Sequence, residues 1–153
     1  MAITPNTTFS SGAILTATQM NNLPWGIIAR STATASQNGI GTGATDLTGL
    51  SVTWTAVAGR SYRLTATTQF IYASGSPAVA VFRIVTSGGT QVQETNVVGS
   101  AAVYNAAHLS TVVSPAAGSV TYKVQGNVNA GTMNVFAAST APIFLMVEDL
   151  GTA

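Results

Sequence analysis

The chain has 153 residues, enough for one domain that buries roughly 70% of the surface of its unfolded chain. Only 6% of them are charged, with Lys+Arg 5, Asp+Glu 4 and one His, against about 25% in an ordinary soluble protein. Zero cysteines exclude disulfides, thiolate zinc sites and thiol redox chemistry. A net charge of +1 gives copies little mutual repulsion and favours assembly.

In chain order, Ile3 to Ile14 is rich in Thr, Ser, Pro and Gly, with single hydrophobes at Ile3, Phe9 and Ile14. Such a segment cannot form its own core and must lie on something, either a neighbouring subunit or partner, or its own domain as a terminal strand. The first Lys or Arg is Arg30 and no long apolar run precedes it, so no leader and no membrane insertion are expected. Thr16-Ala17-Thr18-Gln19 has the form of a capping box, and Leu15 and Met20 occupy the positions of a hydrophobic staple. A helix of one to two turns is predicted over residues 17 to 22. It ends there because Asn21 and Asn22 are weak helix formers and Pro24 disfavours helical geometry at Leu23.

From Trp25 the pattern changes to period two. Leu50, Val52 and Trp54 alternate with Ser51, Thr53 and Thr55, and Tyr62, Leu64 and Ala66 with Arg63, Thr65 and Thr67, as half-buried strands require. Further strands are predicted at Gly26 to Thr32, Val79 to Thr86, Thr90 to Val97, Ala107 to Val113, Val120 to Gln125, Met133 to Ala137 and Pro142 to Glu148. Turn residues separate them, among them Ser87-Gly88-Gly89, which implies an antiparallel hairpin. Eight or nine strands without intervening helices predict an all-β fold: an antiparallel β-sandwich, jelly-roll-like, with an N-terminal extended arm and one short helix. An up-and-down barrel is the alternative. Ser31 to Thr48 reads as a polar loop. The expected division is residues 1–25 as arm and short helix and 26–153 as head domain.

Chemistry-bearing residues are sparse. Gly39-Ile40-Gly41-Thr42-Gly43-Ala44 matches the dinucleotide fingerprint in form, but about 20 positions on stand Arg60 and Arg63 where that site needs an acid. It reads as a loop. His108 is the sole histidine and the four carboxylates are scattered. A metal site would therefore need distant ligands or copies of His108 meeting on a symmetry axis, and no metal or cofactor is expected. Glu148 and Asp149 are adjacent, so in a strand they face opposite ways and cannot flank one bond. With no Gly-x-Ser-x-Gly motif either, an enzyme is not expected. The basic residues Arg30, Arg60, Arg63, Arg83 and Lys123 form no run, so nucleic acid is not an expected partner. They suit hydrogen bonds to loop carbonyls or a subunit contact. Most aromatics fall in strand phase as core residues. Tyr72 and Tyr104 stand beside polar loops, where they serve packing or stack on a sugar together with Asn127 and Asn129.

Phe9-Ser10-Ser11-Gly12-Ala13-Ile14-Leu15-Thr16-Ala17, running into Gln19-Met20-Asn21-Asn22-Leu23-Pro24-Trp25-Gly26, resembles the N-terminal motif of small structural proteins of tailed bacteriophages, especially those infecting actinobacteria. Phe144-Leu145-Met146-Val147-Glu148-Asp149-Leu150-Gly151 is similar to the closing strand of that group. Thr53, Ala56, Gly59, Arg60, Tyr62 and the Pro115-to-Tyr122 hairpin are similar in layout. The resemblance implies a virion component, tail-associated and fibre-like or capsid-decorating, made in the host cytoplasm and built as a homotrimer of β-sandwiches. It implies attachment to other virion proteins through the segment Phe9 to Trp25, within which the apolar residues Phe9, Ile14, Leu15, Met20, Leu23 and Trp25 are the expected contacts. The competing expectation is a receptor- or carbohydrate-binding module that meets a host-surface glycan through Tyr72, Tyr104, Asn127 and Asn129.

Overall fold

A computed structural model describes residue 14 and residues 16–74, 78–99 and 103–152. One short helix, α1 (Ala17–Asn21), precedes ten strands: β1 (Gly26–Ala33), β2 (Gln37–Ile40), β3 (Thr45–Ala56), β4 (Arg60–Ser74), β5 (Ala78–Thr86), β6 (Gln91–Gly99), β7 (Tyr104–Val113), β8 (Gly118–Val128), β9 (Thr132–Phe136) and β10 (Ile143–Thr152). All pairings are antiparallel. One sheet runs β1-β10-β4-β9-β2, with β7 on the other side of β4; the second runs β3-β8-β5-β6. The fold is an antiparallel, jelly-roll-like β-sandwich.

The strands form where alternation demands them. In β10, Ile143, Leu145 and Val147 are buried while Phe144, Met146 and Glu148 are half-buried on the outer side. In β3, Leu50, Val52, Trp54 and Ala56 are buried between exposed neighbours. These inward rows meet those of β5 and β8, including Phe82, Ile84, Val124 and Val128, to make one core. Phe70 and Phe82 join the two sheets with ring centroids 5.0 Å apart, within the range of favourable aromatic pairs. Gly126 leaves room there: a Cβ would stand 2.9 Å from Met133 Cε and 3.4 Å from Phe82 Cε1.

The turns follow the sequence closely. Gly89, at φ +86, closes the β5–β6 hairpin with its N–H on the Thr86 carbonyl at 2.9 Å, and the Thr86 hydroxyl accepts from the Thr90 N–H at 3.1 Å. The helix starts with the capping box in place. The Gln19 N–H donates to Thr16 Oγ1 at 3.2 Å and the Thr16 N–H donates to Gln19 Oε1 at 2.9 Å. It stops at Asn21, one residue before the predicted end. The staple partner Leu15 lies outside the described residues.

Two expectations are corrected. Among the described residues ten strands form, not eight or nine, and Ser31 to Thr48 is not one loop: it holds the end of β1, all of β2 and the start of β3. β2 is four residues long and buries one large side chain, Ile40, too little for a visible alternation. Its neighbours supply the order instead. The Gly39 N–H donates to Asn134 Oδ1 at 3.0 Å, and the Gly41 carbonyl accepts from the Val128 N–H at 3.0 Å.

Strand direction gives the sandwich two poles. At one, β3 ends, β4 begins, β7 ends, β8 begins and β10 ends beside α1; at the other lie the end of β4, the start of β5, the start of β7 and the end of β8. Because Phe82 is fully buried between the sheets, Phe82→Ala is expected to cost about 3–5 kcal/mol, read as a lower midpoint in urea unfolding with an unchanged m-value.

Candidate functional site

The first candidate is the junction between arm and sandwich. Arg60 opens β4 and Asp149 lies in β10, and both are buried. Their side chains form a two-pronged ion pair: Arg60 Nε donates to Asp149 Oδ2 at 2.7 Å and Nη2 to Oδ1 at 2.5 Å. The carboxylate also accepts from the Gly151 N–H at 2.7 Å. Arg60 reaches outward as well, with Nη1 on the Asn21 carbonyl and Nη2 on the Leu23 carbonyl at 2.7 Å. The Trp25 ring covers the guanidinium, its centroid 4.2 Å from Cζ, a cation–π contact. The Asp149 carboxylate raises the guanidinium further above its ordinary value. Gly151, at φ +94, lets the arm come close, since a Cβ there would stand 2.9 Å from the Asn22 carbonyl oxygen.

This junction holds the arm by two backbone carbonyls and one face of the Trp25 ring and leaves the other apolar side chains outside. Ile14 is 92% exposed, Met20 56% and Trp25 56%, with Leu23 and the following Ile27 also exposed. Of the residues expected to attach, Ile14, Met20, Leu23 and Trp25 therefore lie along one exposed stretch, while Phe9 and Leu15 lie outside the described residues. The expectation that arginines hydrogen-bond loop carbonyls holds for Arg60.

The second candidate lies toward the opposite pole, on the outer face of the six-stranded sheet. Tyr104, at the start of β7, is 64% exposed and meets the half-buried Phe136 ring of β9 edge-on, with centroids 5.7 Å apart and planes at 74°. Gln69, in β4, is in register with Ala106 on one side and Phe136 on the other. These residues and Asn105 line an open cavity of about 310 Å³. Tyr72 lies in β4 next to Ile71, the register partner of Tyr104. Asn127 and Asn129 belong to this pole but not to the cavity. Asn127 Oδ1 accepts from Arg83 Nη1 at 3.0 Å, and Asn129 Oδ1 accepts from the Val79 N–H at 2.8 Å. Their amides brace the sandwich. Phe136, expected in the core, is the partner that sequence reading did not associate with Tyr104.

The remaining carboxylates each face a cation. Arg83 pairs with Glu94 at 2.5 Å, Lys123 with Asp46 at 2.7 Å and Arg63 with Glu148 at 3.6 Å, while Arg30 lies over the Phe144 ring, 4.9 Å from its centroid. His108 is exposed in β7. Among the described residues no three of His, Asp and Glu come together, and no helix is long and apolar enough to cross a membrane.

No protein-family model and no curated protein matches this sequence. Among solved structures, the chain is similar over 83% of its length to a chain of the T13 particle of infectious bursal disease virus, with 11% identity and a TM-score of 0.43. It is similar over 81% to the VP2 subviral particle of that virus, with 13% identity and a TM-score of 0.39. It spans only 36% and 37% of those chains. A CBM35 module from Cellvibrio japonicus Abf62 is matched over 72% of this chain and 94% of that one, at 18% identity and a TM-score of 0.30.

Two outcomes follow from the ion pairs. Arg60→Met or Asp149→Leu alone, each leaving a buried charge without its partner, is expected to cost about 3–5 kcal/mol, and the double variant less than the sum; denaturant unfolding of the four proteins measures both. Hydrogen bonds from Lys123 and then Gln125 hold the Asp46 carboxyl below its ordinary 3.8, and the hydrogen bond from Arg83 holds Glu94 below its ordinary 4.5. Lowered folded values mean that these pairs support the fold fully above those ordinary values and lose that support as pH falls through the folded ones. Thermal melts should therefore show a decline in Tm below about pH 4 that is shallower in an Asp46→Asn, Glu94→Gln double variant.

Proposed function

We propose that this protein is a structural component of a bacteriophage virion, tail-associated and fibre-like or capsid-decorating, attached through its N-terminal arm and projecting the β-sandwich outward. The observation that carries this reading is the manner in which the arm is held. Arg60 takes the backbone carbonyls of Asn21 and Leu23, so Ile14, Met20, Leu23 and Trp25 remain exposed and available to a neighbouring protein. Exposed apolar side chains gathered within one short segment are the composition of a docking segment. The resemblance carried by residues 9–26 and 144–151 supports a virion as the setting.

On this reading the role is architectural and not enzymatic. The resemblance supports a homotrimer, and the low net charge favours association in general; sedimentation at three times the 15.5 kDa chain mass is the expected signature. Because the arm and the Tyr104 cavity lie toward opposite poles, attachment at one leaves the other facing outward. Tyr104 favours a second role as a binding module for host-surface glycan, which is compatible with the first.

Two experiments test the attachment role. Gold-labelled antibody against the chain should mark purified virions at a fixed position on tail or capsid, and unlabelled particles would overturn the reading. Replacing the exposed Ile14, Met20 and Leu23 together by Ser should abolish incorporation into particles while Tm changes by no more than a few degrees. Full incorporation of that variant would refute the arm as anchor.

A further inference from the structure

The cavity beside Tyr104 has the makings of a specific site for a neutral ligand. It exists because a small residue sits among large ones: Ala106 and Gln69 form a low floor in register, while Tyr104 and Phe136 rise on either side with their planes at 74°. The crossed rings offer one exposed aromatic face, that of Tyr104 at 64% exposure. The floor offers an amide, Gln69, which is exposed and can both donate and accept. Asn105, also in the lining, alternates with Tyr104 and Ala106 along β7 and donates its amide to the Val103 carbonyl at 2.9 Å.

The charge pattern narrows the ligand. None of the lining residues is charged, and the four carboxylates and their cations pair elsewhere. On the same outer face His108 stands two positions beyond Ala106 on β7, in register with Thr67, and Arg30 lies over the ring of Phe144, which is also in register with Thr67. The lining itself offers a phosphate or a carboxylate no countercharge. A purely apolar ligand would leave the Gln69 amide without a partner, at the usual cost of burying an unpaired polar group. A ligand with one apolar C–H face and a rim of hydroxyls satisfies both surfaces, and 310 Å³ is at the lower end of the sizes that hold small molecules.

We propose that Tyr104, Phe136 and Gln69 form a binding site for a neutral pyranose, the sugar stacking on Tyr104 and hydrogen-bonding its hydroxyls to the Gln69 amide. This deepens the second role proposed above by naming its site and ligand class, and it does not depend on the attachment role. The site is open and the ligand small, so a Kd of about 1–10 mM is expected for a single ring. Several copies on one particle would raise the effective affinity of a multivalent glycan by orders of magnitude without a new contact.

The test uses the full chain and four probes: methyl β-D-glucopyranoside, methyl α-D-mannopyranoside, methyl β-D-galactopyranoside and N-acetylglucosamine. Saturation-transfer NMR should show transfer to the ring protons of at least one probe, with amide shift changes at Gln69, Asn105 and Ala106. Tyr104→Phe should keep the signal, Tyr104→Ala should abolish it, and Gln69→Leu should weaken binding at least fivefold. Far-ultraviolet circular dichroism of each variant verifies the fold, which exposed positions such as Tyr104 and Gln69 should not disturb. No transfer to any of the four probes would overturn the proposal. Loss of a sedimenting oligomer in Tyr104→Ala, with sugars without effect, would also overturn it and assign the face to a second copy of this chain. The labelling of virions stands or falls separately from both results.

Discussion

The buried Arg60–Asp149 pair is the interaction on which the functional reading depends. Two charges placed out of water gain from each other only if the geometry is good and their other hydrogen-bonding positions are filled. Here the carboxylate is completed by the Gly151 N–H, and the guanidinium by two arm carbonyls and an indole face. The pair is therefore a joint between β4, β10 and the arm, and the arm's path is part of its solvation. An arginine suits this because its planar fork serves several acceptors at once, which a lysine ammonium cannot do in the same geometry.

From that joint the rest is ordered by strand direction. Antiparallel pairing along β4, with β7 on one side and β10 then β9 on the other, carries the chain from the arm to the cavity in one strand. The aromatic group Trp54, Tyr62 and Tyr122 fills the arm end, with Trp54 5.4 Å from each of the other two rings, and Tyr62 Oη accepts from the Val57 N–H at 2.9 Å to fix the β3–β4 turn. The opposite end is braced by amides, Asn127 and Asn129. One end is thus packed around rings and an ion pair, while the other has side-chain amides as its cross-ties.

Local features of the chain were legible in the sequence and distant pairings were not. The capping box of Thr16 and Gln19, the hairpin at Gly88-Gly89 and the alternation in β3, β4 and β10 are short-range patterns, and each is found in the structure. β2 was not legible because its single buried Ile40 has no second inward residue to establish a period. Arg60 could be anticipated as a partner of carbonyls, but its carboxylate lies 89 positions away. Tyr104 could be singled out by its place beside polar residues. Phe136 could not be joined to it, because the two meet across β4 and only the sheet order brings them together.

The internal pairing of charges sets how copies of this molecule meet one another and their neighbours. Each carboxylate faces a cation of the same chain, so little field extends beyond the surface. Neutral surfaces of this kind do not steer an encounter, and partners that meet without steering associate in general at roughly 10⁵–10⁶ M⁻¹s⁻¹, with weak dependence on ionic strength. A molecule built this way can be packed in many copies at close spacing with little accumulation of electrostatic pressure.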